Sequence, residues 1–381
     1  MKGVKNLVLG AAGMIACLLP ATGQAETVKI GAILAETGPA AFLGQPEVKT
    51  LKMLVDQVNA AGGIAGKHQV ELIVKDEAAK EEQAVSAAKQ LIEEDKVFAI
   101  IGTTRSGSTM AIKNIAEQGE TLLISCASTK KIVDPVGKWV FKTPQDDSLA
   151  VKMIFDEMKK KGITKIGVAA EGTGFGKMGT QFLNEMAPQF GIEVLISESY
   201  APDVTDLSSL VTKMMANKDI QAVVNWAIVP AQTLLANNMK QQKWDVPLFL
   251  SHGFGNIKYV EIGGAATEGI IFPAGRLLIA DSLPADNPQK NVLVTYKKDY
   301  EAKFSEPVST FGGHAYDAFN ILSKAITEAG SLDRAKVRDT IEKMTFVGTG
   351  GVFKFSPTDH GGLGIDAFEL MTVKDGKFAK Y

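Results

Sequence analysis

The sequence predicts an α/β protein of two lobes, each a doubly wound parallel sheet, and three observations carry that expectation. Apolar runs of strand length alternate with amphipathic helical stretches almost throughout, the mark of βαβ units with both sheet faces covered. The rhythm halts after Trp139-Val140-Phe141 and then restarts, as a second sheet requires. About 356 residues remain after an N-terminal export segment, more than one core usually organises.

Val28 to Leu34 opens the first series as a strand. A helix is expected from about Gln45 to Ala61, stopped by Gly62-Gly63. Val70 to Val74 reads as strand, and Lys80 to Glu94 as helix with Val85, Ala88, Leu91 and Ile92 on one face. Strands near 98–101 and 121–125 bracket a helix from Ser108 to Gln118. The second series runs helix 147–161, strand 165–170, helix 176–190, strand 193–199, helix 206–217, strand 221–226, helix 230–242 and strand 247–250. From Asp286 the pattern turns helical, through about 287–304, 310–329 and 333–345. It closes with short strands near 352–355 and 366–379, the latter bent at Lys374-Asp375-Gly376. A helical run this late needs a sheet to cover, and the first half has the free face. The chain is therefore expected to cross back near 273–276. No repeat at fixed spacing is visible.

At the N-terminus, Lys2 and Lys5 precede an apolar run from Leu7 to Leu19, and Gly23-Gln24-Ala25 offers small residues for cleavage before Glu26. Residues 1–25 read as a secretory signal peptide, too short in its apolar run to span a bilayer. Met14-Ile15-Ala16-Cys17 also fits a lipoprotein box loosely, which would anchor the chain through Cys17, but cleavage after Ala25 is preferred. Loss of Lys2 and Lys5 takes the net charge from −2 to −4. That sign argues against nucleic acid, which wants a basic face. Cys126 is the cysteine left, so an intramolecular disulfide is excluded; its apolar neighbours make it a buried small hydrophobe.

Candidate chemistries thin out quickly. Gly174-Phe175-Gly176-Lys177-Met178-Gly179 matches G-x-G-x-x-G between a strand and a helix, with Glu193 or Glu198 about twenty residues on. It lies mid-chain in an exported protein, so glycines easing a tight turn are preferred to a dinucleotide site, and no cofactor is expected. Glu171 and Met178 break the phosphate-loop pattern. There is no G-x-S-x-G, and His68, His252, His314 and His360 are isolated, without metal-ligand spacing. An enzyme is not expected.

Three loops survive, around Ser106, Thr129 and His252, each following an apolar strand where open α/β sheets bind ligands. A loop of small polar residues entering a helix leaves N–H groups free, and the helix dipole adds positive potential there. Ser106 and Ser108 add hydroxyls, so a carboxylate can be held without a full positive charge. The competing reading is plain N-capping by either serine. Thr129 and the Ala127 carbonyl face the same space.

With these loops go Thr37-Gly38-Pro39, Val58-Asn59-Ala60-Ala61-Gly62-Gly63-Ile64-Ala65-Gly66, Val140-Phe141-Lys142-Thr143, Phe175-Gly176, Asp206-Leu207-Ser208 and Tyr316-Asp317-Ala318. In that order and spacing the chain resembles the type I periplasmic solute-binding proteins of ABC importers, specifically the leucine/isoleucine/valine-binding group. The resemblance implies a Venus-flytrap of two lobes joined by three crossovers. The first lobe would hold 26–144 and 275–350, the second 145–274 and 351–381, with Lys142 to Gln145 and Phe272 to Gly275 as hinges. It also implies that Ser106 and Thr129 hold a ligand carboxylate, that the Ala127 carbonyl accepts from the ligand, and that Phe175 closes over it. Leu43 or Phe42 would line the pocket from the first lobe, and residues near Trp226 and Ile228 from the second.

His252 departs from the family, whose amino-acid binders carry an acid there to pair with the ligand ammonium. A buried ammonium without a counter-charge costs on the order of several kcal/mol. Arg105 and Lys130 add positive charge nearby if they face the cleft. The expectation is therefore a periplasmic, non-enzymatic, monomeric binding protein for a small aromatic or branched organic acid, delivering it to a membrane permease and ATPase. A branched-chain amino acid is the alternative ligand, and a sensory role the alternative to import.

Overall fold

The computed structural model describes residues 26–381. The expected signal peptide and Cys17 lie outside the described residues.

The first sheet is built from β1 (Val28–Leu34), β2 (Val70–Asp76), β3 (Ala99–Gly102), β4 (Leu122–Ser125) and β5 (Val140–Lys142). All five are parallel, in the order β2-β1-β3-β4-β5. The second sheet takes β6 (Lys165–Glu171), β7 (Glu193–Tyr200), β8 (Ala222–Trp226), β9 (Leu248–Leu250) and β10 (Ile271–Ala274). Its parallel part runs β7-β6-β8-β9-β10, the same order again, although the two halves share no visible sequence repeat. β11 (Thr345–Val347) and β12 (Val352–Lys354) form a small hairpin. β13 (Glu369–Lys374), antiparallel to β10, and β14 (Lys377–Lys380), antiparallel to β13, extend the second sheet.

The central strands are near-continuous apolar runs because helices cover both their faces; every residue of β3, β4 and β8 is buried. The outer strands β2 and β7 are largely half-exposed, as edges are. The late helical run does cover the first sheet. The helix Thr310–Ala329 lies beside Ala41–Ala60, and Ala318, Phe319 and Leu322 share a core with Ile30, Leu34 and Leu51. The first helix starts at Ala41, earlier than the expected Gln45, and carries Pro46 inside it.

The chain crosses between lobes after β5, after β10 and again at 364–368. The last crossing comes later than the expected 351, because 351–363 pack on the first lobe. Phe353 and Phe355 belong to its core, Phe355 meets Phe141 edge-on at 5.9 Å, and His360 stacks on Phe141 at 3.9 Å. The crossings are tied together: Gln145 Nε2 donates to the Ala367 carbonyl at 3.4 Å, and Arg276 Nε pairs with Glu369 at 2.9 Å.

Candidate functional site

The shared strand order puts a topological switch point in each lobe, and segments from both meet around one small cavity. From the first lobe come Leu43 after β1, Thr104 and Ser106 after β3, Cys126, Ala127 and Ser128 after β4, and Pro144 after β5. From the second come Phe175 after β6, Ile228 after β8, and His252 and Gly253 after β9. Phe311 and His314 reach in from the start of the helix Thr310–Ala329. None of these lining residues carries a carboxylate, a lysine or an arginine.

The lobes are closed on each other around this space. A Cβ on Gly174 would stand 2.7 Å from the Gly107 Cα, so the starts of the helices Gly174–Met186 and Ser106–Gln118 all but touch. Across the boundary, the Lys130 N–H donates to Asp147 at 3.0 Å and the Thr310 N–H to the Gly255 carbonyl at 3.1 Å.

Ser106 is buried at the first position of its helix, and Arg105 is the capping residue, with no side-chain cap. The Ser106 hydroxyl accepts instead from the Thr129 N–H at 3.4 Å, which brings two of the three loops together. N-capping by Ser106 is therefore not what this structure has.

His252 sits in an aromatic box, edge-on to Phe175 (5.5 Å), Trp226 (5.7 Å) and Phe368 (5.7 Å). Neither ring nitrogen has a partner, although the residue is only 8 % exposed. Burial first, then His314 and Lys142, push its pKa down to about 3, and burial and Lys142 do the same for His314. Both imidazoles are neutral at pH 7, each offering one N–H donor and one acceptor. The cavity thus presents hydroxyls, two neutral imidazoles and a helix N-terminus to whatever it holds, and no fixed charge.

The model of the periplasmic binding protein family matches residues 27–377. The chain belongs to the periplasmic binding protein family. Among curated relatives of this binding protein, the leucine-, isoleucine-, valine-, threonine- and alanine-binding protein of Pseudomonas aeruginosa is 28% identical, with 100% of this chain and 96% of the relative aligned. An extracellular ligand-binding receptor from Rhodopseudomonas palustris HaA2 superposes with a TM-score of 0.86 at 27% identity, covering 93% of this chain and 99% of its own. The branched-chain amino acid transporter substrate binding protein LivJ of Streptococcus pneumoniae, solved with isoleucine, gives 0.81 at 26% identity, covering 93% and 98%.

Of the residues singled out in the binding protein's sequence, the structure brings Ser106, Ala127, Phe175, His252, Leu43 and Ile228 to the cavity wall. Thr129 stands just behind, its N–H on Ser106 and its buried hydroxyl without a partner. Trp226 lies beneath Phe175 and His252 and does not line the space. Phe42 packs against Tyr259 at 5.8 Å instead of facing the cavity. Arg105 turns away: its Nη1 donates to the Ala79 carbonyl at 2.5 Å, and its charge falls near the buried carboxylates Glu77 and Glu171. Lys130 points outward to Asp134 at 3.5 Å. Neither cation tunes the cleft, so the expected positive charge there is absent.

The sequence reading missed His314, Phe311, Thr104 and Ser128. A signal for the first two was available. Ser309 caps the helix Thr310–Ala329 by accepting from the Gly312 N–H at 3.4 Å, the small-polar helix start already noticed at Ser106.

The glycine motif has a packing explanation at each position. Beyond the Gly174–Gly107 approach, a Cβ on Gly176 would meet the Glu171 carbonyl at 1.8 Å, and one on Gly179 the Trp226 indole at 2.1 Å.

Proposed function

We propose that this chain is the extracytoplasmic substrate-binding protein of an ABC importer, and that it closes around a small carboxylate lacking an amino group, an aromatic or branched organic acid. The observation that carries the ligand class is the wall itself. By the family resemblance His252 stands where the amino-acid binders carry an acid, and no carboxylate lines the space to take its place. Free N–H groups at the helix start, with the Ser106 hydroxyl, hold the carboxylate. The partner-free nitrogens of His252 and His314 bond the ligand's remaining polar atoms, and Leu43, Phe175, Ile228 and Phe311 enclose its apolar body. Thr129, Phe42 and Trp226 act through the residues they contact.

The closed protein, acting as an exported monomer, is what the permease and ATPase engage. The second reading, a branched-chain amino acid, is favoured by the names of the Pseudomonas and Streptococcus relatives. It requires the ammonium to be held by neutral acceptors, carbonyl and hydroxyl oxygens or an imidazole nitrogen, with no carboxylate on the wall.

Thermal melting against a ligand panel separates the two readings, since ligand at one hundred times its dissociation constant adds about 2.7 kcal/mol. Upward shifts are expected with benzoate-like acids and branched 2-oxo acids, and little change with leucine or valine. Strong stabilisation by leucine with none from the amine-free acids would reverse the assignment.

A further inference from the structure

We infer that Asn256 and Pro46 form an interlobe latch that favours the closed cleft without touching the ligand. Pro46 lies within the helix Ala41–Ala60 and has no N–H, so the Phe42 carbonyl four residues earlier loses its helical partner. That carbonyl accepts instead from Nδ2 of Asn256, 2.8 Å away on the other lobe. The amide is held in this sense because its Oδ1 is already engaged, accepting from the Lys258 N–H at 3.0 Å as the cap of the next helix turn. Only the donor end is left to face Phe42.

The surroundings hold the pair in place. The Phe42 ring tilts against Tyr259, the Lys258 ammonium stands 5.6 Å over the same ring, and the neighbouring Gly255 carbonyl takes the Thr310 N–H. Asn256 is 6 % exposed, so the donor end of this part-buried bond is shielded from water. Neither Asn256 nor Phe42 lines the cavity. A contact made only by the closed form raises the closed fraction, and with it the affinity for every ligand, by one common factor. This inference rests on ligand being held by closed lobes, not on which ligand it is.

Two variants test it. N256D keeps the oxygen that caps Lys258 and sets a carboxylate against the Phe42 carbonyl. P46A returns an N–H that competes for that carbonyl while adding a helical bond to the first lobe, so weaker closure in it cannot come from a damaged helix. Both are titrated calorimetrically with benzoate, 4-methyl-2-oxopentanoate and leucine, and followed by small-angle scattering without and with each compound. N256D is expected to bind whichever probes the wild type binds about ten-fold more weakly, a loss of about 1.4 kcal/mol. P46A should lose several-fold, each variant by the same factor for every bound probe, with a larger radius of gyration at equal sub-saturating probe.

Unchanged affinities and unchanged scattering overturn the latch. A factor that differs from probe to probe also overturns it, by placing Asn256 among the ligand contacts. Binding of leucine alone would defeat the carboxylate reading while the common factor, read with leucine, still supports the latch. If the wild type binds none of the three, equal radii of the unliganded proteins overturn it and a larger N256D radius supports it.

Discussion

At Ser106 the hydroxyl makes one long bond within the protein, to the Thr129 N–H, and caps nothing. Ser106→Ala should therefore leave the unliganded melting temperature nearly unchanged. It should weaken a bound carboxylate about 10- to 100-fold, the range of about 1.5–3 kcal/mol for a hydrogen bond to a charged group. A large drop in unliganded stability would mean that the hydroxyl serves the helix instead. His252 invites the opposite kind of change. His252→Asp supplies the negative charge that the cavity lacks, so leucine should gain affinity and amine-free acids should lose it.

The two histidines also set a pH window. In the unfolded chain they titrate near 6.5, whereas burial holds them near 3 in the folded protein. Below pH 6.5 the unfolded state takes up protons that the folded state refuses. Their contribution is therefore complete above about 6.5 and is lost as pH falls toward 3. Melting temperatures measured across that window should fall, and His252→Phe should shrink the fall. An identical acid profile for the variant would remove His252 from the cause.

At the scale of elements, sequence pattern located most strands and helices because each is a run of one period bounded by glycines or polar turns. It placed helix starts less well, and for a stated reason. The helix Ala41–Ala60 begins ahead of Pro46 because the carbonyl the proline orphans finds a partner on the other lobe, a tertiary event no local pattern reports. The same limit explains the site. Ser106, Ala127 and His252 follow strands in the chain and were legible as strand-end loops. His314 comes to the cavity on a helix far along the sequence, through packing on the first sheet. The outward turn of Arg105 depends on the Ala79 carbonyl, a contact across 26 residues.

The glycine motif is decided at this scale as well. Gly179→Ala drives a methyl into Trp226, which supports both Phe175 and His252. A loss of about 1–3 kcal/mol of stability is expected, the usual cost of overpacking, together with weaker ligand binding. Gly174→Ala should instead spare stability and weaken binding, because the added methyl meets Gly107 of the facing lobe only on closure. Chemical denaturation of the two variants separates these outcomes, and equal destabilisation by both would refute the interlobe assignment of Gly174.

For the whole molecule, two sheets of one strand order face each other across three tied crossings, and the cavity between them has walls from both. Closure is thus the state in which ligand is contacted on all sides. In the proposed reading charge distribution selects the ligand class, because the buried carboxylates Glu47, Glu77 and Glu171 lie outside the wall. Glu47 is bonded to Thr104, Glu171 to Thr173 and the Ile228 N–H, and burial pushes Glu77 up to about 7. An ammonium entering the cavity meets none of them directly.

Leucine and 4-methyl-2-oxopentanoate share a carbon skeleton and a carboxylate and differ only in carrying an ammonium or a carbonyl at the second carbon. Calorimetric titration of the protein with this pair isolates that one group. Tighter binding of the 2-oxo acid, by at least ten-fold or about 1.4 kcal/mol, is the expected result. Tighter binding of leucine would contradict the amine-free reading of the His252 site.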